Sequence, residues 1–250
     1  MSMQLWLTYF HLNAIAPRRI PWDLGADLPV EETRFIVPSI QEFQAGESSG
    51  GNRLRAAAAA WAARNADAEL PRVIELFIAE EQRHAAELAR YLVLNGHTVR
   101  TRTAGDSAFR LLRHMTGRLE VSMSVLMVAE IIGFVYYAAL REATRSALLR
   151  SICDTFLFDE GAHLLFHMEQ HSRMRRVGAG PMMWLTRGLS WTLMAGACLV
   201  VWVGHRSVLQ RGGLTFGSFV RRSFARLAFI TQAARGRTPL PAANLSPLGR

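Results

Sequence analysis

The chain has 250 residues, half of them apolar, with 29 basic residues against 20 acidic ones and a formal net charge of +9. That length fits one large domain or two small ones with a sizeable core. Only Cys153 and Cys198 carry thiols, and no C-x-x-C occurs; this excludes a disulfide framework, a rubredoxin-type iron centre and a zinc ribbon, and suits buried thiols in a reducing, cytoplasmic compartment. Every basic residue is Arg, a bias of composition with no physical account. The positive charge admits an anionic partner, whether nucleic acid, a phospholipid surface or an acidic substrate; a solubilising shell around an apolar bundle is the simpler reading.

Residues 1–38 read as a largely irregular arm punctuated by Pro17, Pro21, Gly25, Pro29 and Pro38, with Trp6, Phe10 and Trp22 packing it onto the body. Met1 to Ala16 is apolar but lacks the basic start of a signal peptide. Ser39, just after Pro38, is a good N-cap for a first helix running to Asn65. Phe43, Glu47, Leu54, Ala58 and Trp61 share one face of it, while Glu42 falls off that stripe. The run Gly46-Glu47-Ser48-Ser49-Gly50-Gly51 is poor helix material, so it either bulges beside a ligand or is a loop dividing two shorter helices.

A second helix is expected over about 68–94, with Pro71 in its first turn and Asn95-Gly96 ending it. Its apolar stripe is Leu70, Ile74, Phe77, Leu88 and Tyr91, interrupted by Glu81 and His84. Glu80, Arg83, Glu87 and Arg90 form a charged row beside it, so periodicity selects Glu81 over Glu80. The basic connection from His97 to Gly117 holds a short helix around Phe109 to His114, and His97 and His114 read as surface residues. A third helix covers about 118–143; from Val121 to Leu140 its one charge is Glu130, which needs a cation from elsewhere or a proton. Phe134, Tyr136 and Tyr137 nearby are read as core packing.

A fourth helix covers about 146–175. Glu160, His163 and His167 fall on one face of it, in line with Leu149, Cys153 and Phe156. A carboxylate and two imidazoles on a core-facing stripe are costly unless a metal ion compensates them. Two more apolar helices follow, over about 182–208 and 216–235, before a tail rich in Pro, Gly and Asn. The charge-free segment Gly188 to Gly204 is at the short limit of a membrane span, and a buried or surface-lying helix is the expected form. No fixed repeat and no strand is legible.

Four helices thus each present one inward carboxylate, Glu47, Glu81, Glu130 and Glu160, and two of them add a His one turn on, His84 and His163. One Glu from each of two helices and Glu-x-x-His from each of the other two is the ligand set of ferritin-like di-iron and di-manganese proteins. Over about Ser39 to Arg175 the sequence resembles the ferritin-like superfamily of di-metal carboxylate proteins. The resemblance implies an all-α fold, a ferritin-like four-helix bundle over 39–175 with extra C-terminal helices over 176–235. It implies two iron ions, or a Mn/Fe or Mn/Mn pair, bridged by Glu81 and Glu160, flanked by Glu47 and Glu130, with His84 and His163 each on one metal. Asp159 resembles the Asp that holds a ligating His in several oxygenases of that superfamily. His167 departs from the simplest pattern; it is read as a donor behind the ligands rather than an extra ligand, and His171 as nearer solvent.

Carboxylate oxygen with imidazole suits iron or manganese. The activity the resemblance implies is an O2-dependent di-iron oxidase or oxygenase, catalytic through the metals on Glu47, Glu81, Glu130 and Glu160, acting on a small or lipid-like organic substrate with an electron donor protein or other reductant. A ferroxidase or iron-storage protein ranks lower because the chain is basic. An RNA- or membrane-associated hydroxylase and a homodimer are further alternatives.

Overall fold

A computed structural model describes residues 3–100, 118–177 and 181–233, without the side chains of 181–185 and 187. The short helix expected at Phe109 to His114 and the tail from Gly236 lie outside them. All regular structure among the described residues is helical. The chain divides into two compact units, Met1–Ser122 with Ser146–Ile152, and Met123–Arg145 with Cys153–Arg250.

In the first unit α1 (Met3–Ile15), α2 (Val30–Glu47) and α3 (Asn52–Asn65) all pack on α4 (Leu70–Leu94). The arm is therefore not largely irregular. α1 carries no charge, and its buried Trp6 and Phe10 face α4, where Phe10 meets Phe77 edge to face at 6.1 Å. Arg83 of α4 donates to the Asn13 carbonyl at 3.0 Å, satisfying one of the acceptors that a helix end leaves open. Between the helices, a short 3-10 turn at Trp22–Leu24 lies against α4, with Arg90 stacked over Trp22 at 4.1 Å.

Nor does the second helix of this unit begin at Ser39. α2 starts at Val30, and Pro38 lies inside it. A proline there removes the bond to the Arg34 carbonyl. Both Arg34 and Pro38 are exposed, so that carbonyl meets water, while Ile36, Val37 and Ile40 on the other side are buried and hold the helix together. The Gly-rich run is the loop reading: α2 ends at Glu47, and Gly51 takes a left-handed φ of 64° before α3. α4 matches its expected span, with proline in the first turn and Gly96 in a left-handed turn after it. Asn95 donates to the Tyr91 carbonyl and accepts from the Leu28 N–H, both at 2.9 Å.

The start of α6 (Ala147–Val177) also belongs to this unit. Asp27 accepts from the Leu148 N–H and from the Ser146 hydroxyl, and Ser146 accepts from the Leu149 N–H and the Tyr91 hydroxyl. This network caps the helix that carries Glu160 and His163.

In the second unit lie most of α5 (Leu119–Ala143), the rest of α6, α7 (Pro181–Arg211) and α8 (Phe216–Ala233). Phe134, Tyr136 and Tyr137 are fully buried core, as expected. Tyr137 meets Phe156 of α6 at 5.0 Å and Tyr136 meets His205 of α7 at 5.4 Å. Gly212 ends α7 directly against α5: a Cβ there would run into the backbone of Ala139. Thr215 and Ser218 cap α8 reciprocally, the Ser218 N–H donating to the Thr215 hydroxyl at 3.2 Å and the Thr215 N–H to the Ser218 hydroxyl at 2.9 Å. Cys153 and Cys198 are buried thiols that form no disulfide.

Among the described residues, two helices are long and apolar enough to cross a membrane by length and composition. Of the 18-residue apolar window in α5 (Leu119–Ala143) 89% is buried within the protein, against 39% of the corresponding window in Gly188–Arg211 of α7.

Candidate metal centre

Each unit builds a cluster of metal-ligating side chains, and each cluster has the same composition. In the first unit, one ligand atom each from Glu47, Glu81 and His84 lie within 4.8 Å of one another. α4 supplies the second and third at i and i+3, where a helix puts them side by side, with Nδ1 of His84 4.0 Å from Glu81 Oε1. Glu47 is the last residue of α2, delivered by the helix end rather than by a continuous stripe. Gly51 lets the chain turn close to α4; a Cβ on it would come within 2.5 Å of Ile78. His84 is fully buried, Glu47 is half-buried, and the Glu81 side chain keeps 18% of its surface in contact with water.

Sequence periodicity missed one carboxylate here. Glu80 is buried, pairs with Arg83 at 3.8 Å and brings an oxygen within 4.8 Å of His84. The signal that could have found it is the adjacent acidic pair just upstream of a core His: a helix face wide enough to bury His84 can take in either neighbour. Glu32 is buried as well. It falls in register with Ile36 and Ile40 on α2, a pattern hidden by reading residues 1–38 as irregular.

In the second unit Glu130, Glu160 and His163 likewise lie within 4.8 Å of one another. α5 brings Glu130 and α6 brings Glu160 and His163. Nδ1 of His163 is 3.1 Å from Glu130 Oε2 and 3.6 Å from Glu160 Oε2, and all three residues are buried. His167 Nε2 is 4.0 Å from Glu130 Oε1, and Asp159 and His167 are both fully buried. His171, expected nearer solvent, is half-buried.

The electrostatics follow from this enclosure. Burial pushes the Glu130 carboxyl up, but the hydrogen bonds to His163 and Glu160 and the nearby imidazoles more than reverse it, leaving a value of about 2. Burial pulls His167 down to about 3 against the attraction of Glu130, and pulls His171 down to about 4. Both rings are therefore neutral at pH 7, which is the form that can ligate a metal or orient a ligand.

These residues fit a metal ion. Ligand atoms at about 2.1 Å from an octahedral ion sit about 3 Å apart when adjacent. The 3.1 Å and 3.6 Å separations around His163 Nδ1 are close to that spacing. Two carboxylates with one imidazole are an oxygen-rich set with one borderline nitrogen, which suits iron or manganese better than a thiolate-seeking ion. Without an ion, the His163–Glu130 contact is a hydrogen bond in which Nδ1–H donates to the carboxylate. A metal ion held at Nδ1 would displace that proton.

Comparison with family models, with curated proteins and with solved structures finds no match.

Proposed function

We propose that the chain is a ferritin-like di-metal carboxylate oxidase or oxygenase that uses O2 on a small or lipid-like organic substrate. One observation carries this reading: each unit by itself gathers two carboxylates and one imidazole, in the order Glu then Glu-x-x-His, and that order is the repeated half of a di-iron ligand set. In this reading Glu47, Glu81 and His84 would hold one ion and Glu130, Glu160 and His163 would hold the other. When bound, an iron or manganese pair supplies the electrons that reduce O2.

The chain's own residues do the rest. His167, fully buried with Nε2 4.0 Å from Glu130 Oε1, orients the ligands of the second unit. The apolar wall formed by Phe134, Tyr137 and Phe156 keeps water away from α6. The partly wet Glu81 and the loop after Glu47 are where a substrate reaches the ions. The test is the purified full chain loaded with Fe(II) without air and then given O2. About two irons retained per chain with oxygen uptake is the expected result; fewer than one retained iron, or no uptake, sinks the reading.

A further inference from the structure

We propose that the outer face of α7, with the basic helix α8 beside it, docks on an anionic phospholipid surface. Three observations meet on this face. The first is an apolar stripe. Leu199 is 58% exposed, Val200 45% and Val203 71%, and Thr192, Ala195 and Gly196 continue the exposed face one and two turns earlier. Scattered exposed aliphatics need no explanation, but a continuous stripe in a stretch without charge, from Gly188 to His205, does.

The second is charge. All 20 acidic residues lie at or before Glu169; beyond it the only charged side chains are Arg, twelve of them. The chain's whole excess of positive charge is thus in its C-terminal third, the part that carries α7 and α8. Arg206 lies three residues after Val203 and seven after Leu199, on the same exposed face, and Arg221 of α8 is also exposed. A guanidinium at the end of an apolar stripe can reach lipid phosphate while the stripe enters the acyl boundary.

The third is aromatic placement. Trp191 and Trp202, eleven residues apart, lie on one side of α7 and pack against Phe224 and Phe216 of α8, both at 5.5 Å. Phe216 itself is 42% exposed. Indole rings half inside a protein and beside an apolar face suit the headgroup level of a bilayer.

The other face of α7 settles how it meets lipid. Met194, Ala197, Cys198, Val201 and Val208 are buried within the protein, so lipid cannot surround the helix; it lies in the plane of the surface. A second copy of the chain fits this face poorly, because it would bring together two C-terminal thirds that carry only positive charge. Nucleic acid would use the arginines and leave Leu199, Val200 and Val203 unexplained.

The experiment is flotation of the full chain with vesicles of phosphatidylcholine alone and with about a quarter phosphatidylglycerol. The expected result is binding at least about tenfold tighter to the anionic vesicles, weakened by salt. Leu199→Glu with Val203→Glu should cut that binding about tenfold or more, with the helical circular dichroism retained. Leu199→Ser with Val203→Ser is the milder pair and should reduce it by less. Arg206→Gln with Arg221→Gln should remove most of the preference for anionic lipid. No flotation with either vesicle overturns the proposal, and so does flotation that both Leu199/Val203 pairs leave unchanged. So does retention on RNA without vesicle binding, or a dimer that the Leu199/Val203 pairs dissolve. None of these readouts depends on bound metal, so the docking stands or falls apart from the oxidase reading.

Discussion

The two ligand clusters each consist of two Glu and one His and differ in what encloses them. Glu130, Glu160 and His163 come from the middle of two continuous helices and are all buried, with neutral His167 and buried Asp159 close behind in sequence. Glu47, Glu81 and His84 come from one helix end and one helix middle, beside a glycine turn, and Glu81 still touches water. Enclosure raises the cost of any change in charge. The second unit's cluster should therefore dominate how tightly metal is held, and the first unit's cluster should govern access. The proposed oxidase reading would use both, one cluster to retain metal and one to admit substrate.

The largest expected effect tests that asymmetry. Glu160→Ala or His163→Ala should weaken metal binding more than about 100-fold, beyond the range seen when only a supporting partner is lost. Glu81→Ala should cost about 10- to 100-fold, since water can take the place of a half-wet carboxylate. Metal retained against a graded chelator measures both. If Glu81→Ala is as damaging as Glu160→Ala, the distinction between a sealed and an open cluster fails. Metal removal from the wild type should lower stability by about 4 kcal/mol where free metal was at about a thousand times its Kd, read as a fall in Tm.

Two glycines sharpen the same comparison. Gly212→Ala drives a Cβ into the backbone of α5, which cannot rotate away, and should cost about 3 kcal/mol. Gly51→Ala meets only the Ile78 side chain but must hold a left-handed φ, so about 2 kcal/mol is expected. Denaturant melts read both costs. Gly51→Ala should also change the rate of O2 uptake, since it shifts the end of α2 that carries Glu47, whereas Gly212→Ala should leave that rate per folded molecule unchanged. Equal effects on uptake would show that the turn at Gly51 does not set access.

Most helices are legible in the sequence because their stripes are unbroken. α4, α5 and α6 match their expected spans to within a few residues, and Pro71 and Gly96 mark the ends of α4 as local chemistry says they should. The start of α2 at Val30 differs because Pro38 reads locally as a boundary. A proline starts a helix more cheaply than it interrupts one, yet tertiary burial of Ile36, Val37 and Ile40 outweighs the lost bond. The same local signal hides Glu32. Two carboxylates on the charged side of a stripe, Glu80 and Glu81, cannot be separated by period alone, because their directions differ by little over a quarter turn. The cap on α6 is half legible: Ser146 marks the start, but Asp27, over a hundred residues earlier, gives no local sign. Asp27→Ala should cost about 1 kcal/mol by denaturant melt and should loosen the first turn of α6 without changing metal content. A loss of metal in that variant would tie the cap to the ligands further along the helix.

The smallest effect on stability, near zero, belongs to a chemical probe of enclosure. Cys153 lies on α6 seven residues before Glu160, and Cys198 on α7; both are buried. Burial pushes the Cys198 thiol up, opposed in part by the Ser223 hydroxyl, so little thiolate forms at about pH 8 and access is poor as well. Alkylation of both native thiols should be about 100-fold slower than in denaturant, where the chain opens. Ser48→Cys places an exposed thiol directly after Glu47, and it should react at close to the free-thiol rate in the same folded protein. If Cys153 reacts as fast as the introduced thiol in that variant, the helix holding Glu160 opens on the same timescale as the loop beside Glu47. Sealing would then be no property of the second unit, and the stronger metal retention expected of its cluster would have to come from its extra imidazole alone.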